Sequence, residues 1–424
     1  MSSVLFLSLI DFNSINERNI YTDLLREFIK YGHKVCIISP VERRKNGRTY
    51  VIEKDGCKIL KLRIGNIQKT NIIEKGISTL AVEPEFIAGI KKYFSDTKFD
   101  LVLYATPPIT FCKVIEFVKK RDKAKSYLLL KDIFPQNAVD IGLMSKKGLK
   151  APLYKFFRSK EKNLYRISDR IGCMSTANVE YVLRHNPEVK KRNAEAIWKR
   201  GKGIVEECPN CIEPIDMSLS SEEKISIREK YNIPTDKIVF VYGGNLGKPQ
   251  GIDFLLKCLH SQQKNDKVFF LIVGSGTEYG RIEKYIEKYR PMNIRLRQWL
   301  PKDEYDKVVA ACDVGMIFLD HRFTIPNFPS RLLSYMQAKL PVLAVTDPNT
   351  DFGNVVTGID KKGRKIHEPF GWWCESNRVS AFKVLIEKIE KNKTSQYGFT
   401  GYSFLLENYK SKDAYSIIME IKNN

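Results

Sequence analysis

Arg322 to Asp347 reads RFTIPNFPSRLLSYMQAKLPVLAVTD, a loop, a helix and a strand in immediate succession. Pro326 and Pro329 stiffen the approach by fixing φ. Ser330 predicts an N-cap, with Arg331 at the first helical position. Leu332, Leu333 and Met336 give the helix one apolar side. Pro341 stops it, and Val342-Leu343-Ala344-Val345 predicts a strand buried on both faces, as in a parallel sheet. A helix N-terminus carries unpaired N–H groups and partial positive charge, so an arginine fork placed there suits a phosphate. An ordinary capped helix before a strand accounts for the same residues equally well.

The same alternation extends outward. In the second half, Ile238–Tyr242 predicts a strand that runs into Gly243-Gly244-Asn245-Leu246-Gly247-Lys248. Phe269–Val273 runs into Gly274-Ser275-Gly276, and Val314–Leu319 precedes the opening stretch. Glycines after a strand let backbone N–H groups approach a phosphate, and Lys248 can add a point charge. In the first half the predicted strands are Val4–Ile10, Val35–Ser39, Leu101–Tyr104, Tyr127–Leu130 and Ile171–Ser175, with an amphipathic helix over Ile20–Tyr31 closed by Gly32. Strands spaced by helices imply an α/β protein with doubly wound parallel sheets. Such sheets bind ligands at the carboxyl ends of their strands. Asp132, in KDIFPQNAVDIG at 131–142, stands just beyond such an end. It suits orienting or deprotonating a hydroxyl, or capping the next turn.

Composition bounds the partners. The 424 residues carry a net charge of +22. Residues 1–212 hold 40 Lys+Arg against 23 Asp+Glu, and the remainder 31 against 26, so an anionic surface is expected at the first half. Over 146–170, nine basic residues interleave with Leu149, Leu153, Tyr154, Phe156, Phe157, Leu164 and Tyr165, opposed only by Glu161 and Asp169. That pattern predicts a helix on an anionic membrane surface, with a second basic cluster in Lys190, Lys191, Arg192, Lys199, Arg200 and Lys202. A solvated helix packed on the sheet is the plainer reading. No apolar run reaches the length of a transmembrane helix, and MSSVLFLSLIDF reads as a first strand without the charged start or cleavage site of a signal peptide. Nine scattered cysteines suit reduced thiols in the cytoplasm, and Cys208-Pro-Asn-Cys211 reads as two incidental thiols beside a turn. No nucleic-acid-binding module is recognisable.

Pro-Ser-Arg, a short helix and Pro-Val-Leu-Ala resemble the donor-phosphate segment of glycosyltransferase family 4, a GT-B family. The longer string Ile325–Ala338, IPNFPSRLLSYMQA, resembles the bacterial N-acetyl-L-fucosaminyl (L-fucosamine) transferases of capsule and O-antigen clusters. The resemblance implies two doubly wound Rossmann-like domains facing a central cleft. Residues 1–212 would bind acceptor, completed by C-terminal helices from about 403 to 424, and 213–402 would bind the nucleotide sugar. It implies transfer from a UDP-sugar to an undecaprenyl-diphosphate-linked saccharide, at the inner face of the plasma membrane. The donor would be held by Gly243, Gly244, Asn245, Lys248, Gly274, Ser275, Arg297, Trp299, Ser330, Arg331 and Ser334. Asp132 would be catalytic, and Asn16 and Arg18, in the glycine-free loop Asp11–Asn19, would meet the acceptor. Trp299 either stacks on the base or covers the core, the latter being the simpler expectation.

The chain departs from the family in lacking its pair of glutamates, whose places fall on Pro326 and Ser334, and its Arg and Lys, whose places fall on Asn245 and Gln250. The ribose contact then falls to Ser334, Tyr335 or backbone, and the sugar grip to Phe323–Phe328, whose rings would suit the C6 methyl of a deoxy sugar. No cofactor is expected, because there is neither a strand-end Asp-x-Asp nor a His/Cys ligand cluster for a metal. A nucleotide-sugar epimerase on the same fold and a non-catalytic polysaccharide-assembly subunit are the alternatives. The basic aromatic stretch argues against the first and the phosphate-binding pieces against the second.

Overall fold

The structure is a computed structural model that describes residues 1–45, 47–67, 72–392 and 394–423. The chain divides into two compact units, Met1–Glu213 with Ser411–Asn424, and Pro214–Lys410.

The first unit is built on eight strands: β1 (Ser3–Leu7), β2 (Lys34–Glu42), β3 (Tyr50–Lys54), β4 (Cys57–Ile64), β5 (Leu101–Ala105), β6 (Lys125–Leu130), β7 (Arg170–Cys173) and β8 (Val205–Glu207). They lie in the order β3-β4-β2-β1-β5-β6-β7-β8. All pairs are parallel except the hairpin β3–β4. β1 and β5 are almost entirely apolar and buried, as strands covered by helices on both faces must be. β1 ends at Leu7, three residues short of the expected Ile10, because the chain turns there into a polar loop. Helix Ile20–Lys30 then starts on a capping box in which Asn19 and Thr22 satisfy each other's backbone N–H groups. Gly32 adopts φ +78° directly after it.

The second unit carries β9 (Ile238–Asn245), β10 (Val268–Ser275), β11 (Ile294–Arg297), β12 (Val314–Phe318), β13 (Val342–Thr346) and β14 (Gly371–Glu375). The sheet is wholly parallel in the order β11-β10-β9-β12-β13-β14. Phe240, Phe270, Met316, Phe318, Leu343 and Phe382 belong to its core. The switch between β9's two neighbours, β10 and β12, puts the glycine turn after β9 at the point where such sheets bind ligands.

The return to the first unit starts later than 403. Helix Ser395–Asn408 stays with the second unit, where Gly398 faces the Lys339 carbonyl and Gly401 lies against Phe370, places with little or no room for a side chain. Only helix Ser411–Met419 joins the first unit. Its Tyr415 stacks on Tyr31 with centroids 4.5 Å apart and meets His33 Nε2 at 2.9 Å.

Candidate functional site

The second unit gathers its functional groups around Arg331. Gly243 and Gly244 end β9, and Gly274 ends β10 in register with Gly244. Gly244 holds φ +112°, and a Cβ on Gly274 would collide with the Gly244 carbonyl, so these two turns nest only because both lack side chains. Arg331 lies against them, its Nη2 3.8 Å from where a Gly244 Cβ would be. Its guanidinium sits 4.3 Å from the Tyr242 ring centroid and donates to Gln250 Oε1 at 2.9 Å. The same Gln250 oxygen accepts from the Tyr242 hydroxyl at 3.2 Å. Arg331 Nη1 is buried with no hydrogen-bond partner. Among the described residues no carboxylate pairs with this cation, and its unused donor beside two glycine turns could accept an anion.

Asn245, Lys248 and Ser275 are exposed at the same strand ends. Ser330 takes the expected N-cap position before Arg331, but its side chain makes no cap. Its backbone is already helical, φ −63° and ψ −18°, because Leu332 N and Leu333 N bond to Pro329 O and Ser330 O, and its hydroxyl caps nothing. Ser334 is half-buried on helix Arg331–Gln337. Tyr335 beside it faces inward. Its hydroxyl accepts from Gly243 N at 3.1 Å and lies 3.2 Å from the carbonyls of Val241 and Met316. It anchors the helix on β9 and β12 and leaves no hydroxyl for a ribose.

Three further expectations are corrected. Arg297 turns away from the strand ends, donates to Tyr231 O and packs on the Tyr231 ring, so it braces helix Ser221–Lys230. Trp299 does not cover the core: it is 66% exposed, as a base-stacking ring would need to be. Phe323 and Phe328 are buried, and Phe328 packs on Phe352 and Tyr409, so neither ring offers a face to a sugar methyl. Asn349 Nδ2 donates to Phe323 O and Asn327 N to Thr350 Oγ1, pinning that loop to the turn after β13. The turn is shaped by Asp347, whose Oδ1 accepts from the backbone of Asn349 and Thr350 at 2.9 Å. Its Oδ2 is buried without a partner, and burial raises its pKa to about 6. Sequence spacing carries no sign of this buried acid.

In the first unit, Asp132 follows β6 and accepts from Asn137 Nδ2 at both oxygens, 2.7 and 2.8 Å. Burial raises its pKa to about 6 against the pull of those bonds. It is not an N-cap: helix Gln136–Asp140 starts after Pro135 without a side-chain cap. Asn16 is drawn to the wrong end of the sheet for an acceptor. Its amide donates to Asp55 in the β3–β4 turn, beside the start of β2, while Arg26 holds the loop by the Ile15 and Glu17 carbonyls. Burial raises the pKa of Asp23, and Arg26 and Arg18 nearby only partly oppose it.

The group that organises the loop after β1 is Lys61 of β4, 1% exposed. It donates to the Asp11 carboxylate, to Phe12 O at 2.6 Å and to Asn13 Oδ1 at 3.1 Å. Burial pushes the Asp11 carboxyl up, but Lys45 and Lys61 together hold it below its ordinary value.

The basic stretch forms helix Ala151–Ile167, with Leu164, Tyr165 and Ile167 buried and Leu149, Leu153 and Phe156 exposed. Part of its charge is engaged inside. Arg158 pairs with Glu161 and donates to His185 O and Asn186, and Arg170 pairs with Glu206 at 2.7 Å. In the second cluster Arg192 donates to the carbonyls of Tyr165 and Ser168, and Lys202 pairs with Glu206 and Glu420. Lys146, Lys147, Lys150 and Lys155 remain on the outside. Among the described residues no helix is long and apolar enough to cross a membrane, and no group of three or more His, Cys, Asp or Glu is placed to hold a metal. All nine cysteines are free and buried.

Residues 223–402, nearly the whole second unit, match the family model "Glycosyl transferases group 1". The second unit is thus similar to a group 1 glycosyltransferase domain. Over 347 residues the chain is 25% identical to "Probable glycosyltransferase WbjE" of Pseudomonas aeruginosa, covering 80% of this chain and 78% of that protein. Two solved structures share the GT-B fold. The E. coli trehalose-6-phosphate structure bound with UDP-2-fluoro glucose superposes with a TM-score of 0.69 at 10% identity, covering 100% of this chain and 99% of the other. WaaG, a glycosyltransferase involved in lipopolysaccharide biosynthesis, gives 0.64 at 12%, covering 98% and 99%. The segment that matches this family model contains both glycine turns, Arg331 and Asp347.

Proposed function

We propose that this group 1 glycosyltransferase moves a sugar from a UDP-linked donor to an undecaprenyl-diphosphate-linked saccharide. The observation that carries this reading is Arg331, with its unpartnered buried Nη1 beside the glycine turns of β9 and β10. Gly243, Gly244, Asn245, Lys248, Gly274, Ser275, Ser330 and Arg331 would hold the diphosphate and stabilise it as a leaving group, an electrostatic contribution that needs no metal. Trp299 would stack on the base. Asp132, with a pKa near the working pH, would accept the proton of the attacking hydroxyl. UDP-2-fluoro glucose in one structural relative is in keeping with the donor class, and the acceptor class rests on the resemblance of Ile325–Ala338 alone.

The donor sugar is N-acetyl-L-fucosamine, a reading supported by the string Ile325–Ala338 alone. The protein would work as a peripheral enzyme on the inner face of the plasma membrane in capsule or O-antigen synthesis. Leu149, Leu153 and Phe156 would enter the interface, and Lys146, Lys147, Lys150 and Lys155 would meet anionic headgroups, each contributing about 1 kcal/mol.

The test is mass spectrometry of products from purified protein, a panel of UDP- and GDP-sugars and a prenyl-diphosphate-linked monosaccharide. The expected product is the acceptor enlarged by one N-acetyl-deoxyhexose. A UDP-sugar isomerised without acceptor would mark an epimerase, and no turnover of any donor would mark an assembly subunit.

A further inference from the structure

The first unit has a second basic concavity at the end of its sheet opposite Asp132. Lys125 opens β6, Arg170 opens β7 and Ile204 precedes β8, so the cavity lies at the amino ends of strands whose carboxyl ends carry Asp132. The length of β6 separates the two by about 20 Å. The cavity measures about 420 Å³, within the range of small-molecule sites.

Its charges fall into two groups. Arg170 is neutralised by Glu206 at 2.7 Å, and Asp169 by Lys119 at 2.8 Å. Asp169 also accepts from Ser126 N and Oγ. Those pairs are internally complete. Lys125, Arg192, Lys199 and Arg200 remain, with Glu195 as the one lining carboxylate left to oppose them. Arg192 is fixed by its bonds to two carbonyls, at 2.9 and 2.8 Å, and keeps its full charge. Lys125, Lys199 and Arg200 are exposed and have no side-chain partner among the described residues. The position of Lys199 and Arg200 in the last turn of helix Pro187–Arg200 complements the helix dipole, which explains those two. It does not explain Lys125, which comes from a different element, nor the open concavity between them. Ala196, Ile204 and Ile421 supply an apolar floor.

We propose that this cavity binds a phosphate ester, its phosphate held by Lys125, Arg192, Lys199 and Arg200 and its organic part resting on Ala196, Ile204 and Ile421. The ligand is either a soluble organic phosphate or the headgroup of a phospholipid. It is distinct from the nucleotide of the proposed reaction, whose diphosphate would bind the other unit.

Calorimetry with inorganic pyrophosphate, on full-length protein saturated with UDP, isolates this site from the donor site. We expect one pyrophosphate per chain, with affinity falling about tenfold or more in Lys199→Ala/Arg200→Ala and again in Lys125→Ala. UDP affinity should be unchanged in each, which also shows that the variants are folded. Flotation with phosphatidylglycerol and phosphatidylcholine vesicles separates the sources. If the double variant loses phosphatidylglycerol binding and pyrophosphate competes, the ligand is a headgroup; if flotation is unaltered, it is a soluble phosphate. UDP-saturated protein that takes up no pyrophosphate, or uptake indifferent to both variants, overturns the site.

Discussion

Lys61 in the first unit and Arg331 in the second are both cations drawn into the structure next to a strand-to-helix loop. They differ in what answers them. Lys61 is surrounded by Asp11, the Phe12 carbonyl and Asn13, a closed circuit that folds the loop and leaves nothing over. Arg331 is met by an aromatic face and one amide oxygen, and Nη1 is left unmatched. The number of acceptors around each charge, more than its burial, separates a residue that builds the protein from one poised for a ligand.

Removing Lys61 should break the comparison most severely. Lys61→Met leaves Asp11 leaning on Lys45 alone and the buried Phe12 carbonyl with only the Ser39 hydroxyl, 3.3 Å away, as donor. We expect a loss on the order of 3 kcal/mol, read by hydrogen exchange or thermal unfolding of the first unit, with UDP affinity unaltered.

The carboxylates sharpen the comparison through pH. Asp347 has its pKa raised from 3.8 to about 6 by burial. Its contribution to stability is therefore complete below the ordinary value and is lost as pH rises through about 6, a change of about 3 kcal/mol. Asp11, held below its ordinary value by two lysines, acts in the opposite sense. Its contribution is present above the ordinary value and is lost as pH falls through the lowered one. Unfolding between pH 4 and 8 should show a decline that is shallower in Asp347→Asn by the Asp347 share. An unchanged slope would mean that the acid is not buried.

Asp132→Asn should leave UDP affinity intact and cut turnover by about 100-fold. Wild-type turnover should rise with pH through about 6 as the carboxylate forms. Normal turnover in the variant would reduce Asp132 to a brace for Asn137. The smallest effect is expected at Arg331 itself. Arg331→Ala strands no acid, so stability should change by about 1 kcal/mol or less, while UDP affinity falls about tenfold or more. Equal UDP affinity in the folded variant would remove the distinction between the two cations.

Much of this was legible in the sequence because it is local. Strands such as Leu101–Ala105 and Val342–Thr346 declare themselves by unbroken apolar runs, and the glycine turns by their place after such runs. What was hidden depends on contacts far apart in the chain. Lys61 meets a loop some fifty residues earlier, and nothing in KLRI marks its ammonium as buried. Tyr335 looks like any residue of a short helix until β9 and β12 close over it. Arg158, Arg170 and Arg192 count as surface charge in a composition and are engaged inside the fold. β3, with Tyr50, Glu53 and Lys54 exposed and Val51 and Ile52 only half-buried, lacks the apolar run that marks the inner strands because it lies at the edge of the sheet.

Helix Ser411–Met419 has a consequence for the order of events during synthesis. The second unit is one uninterrupted stretch, Pro214–Lys410, and all of it has been translated before Ser411 is reached. The first unit, although begun earlier, lacks Tyr415 against Phe28 and Tyr31, and Ser411 N against Ile212 O, until Ser411–Met419 has left the ribosome. The usual N-terminal-first sequence of domain folding is inverted at its final step. The unit begun first is closed after the other is complete, and a chain cut before Ser411 would carry a complete second unit attached to an unsealed first one.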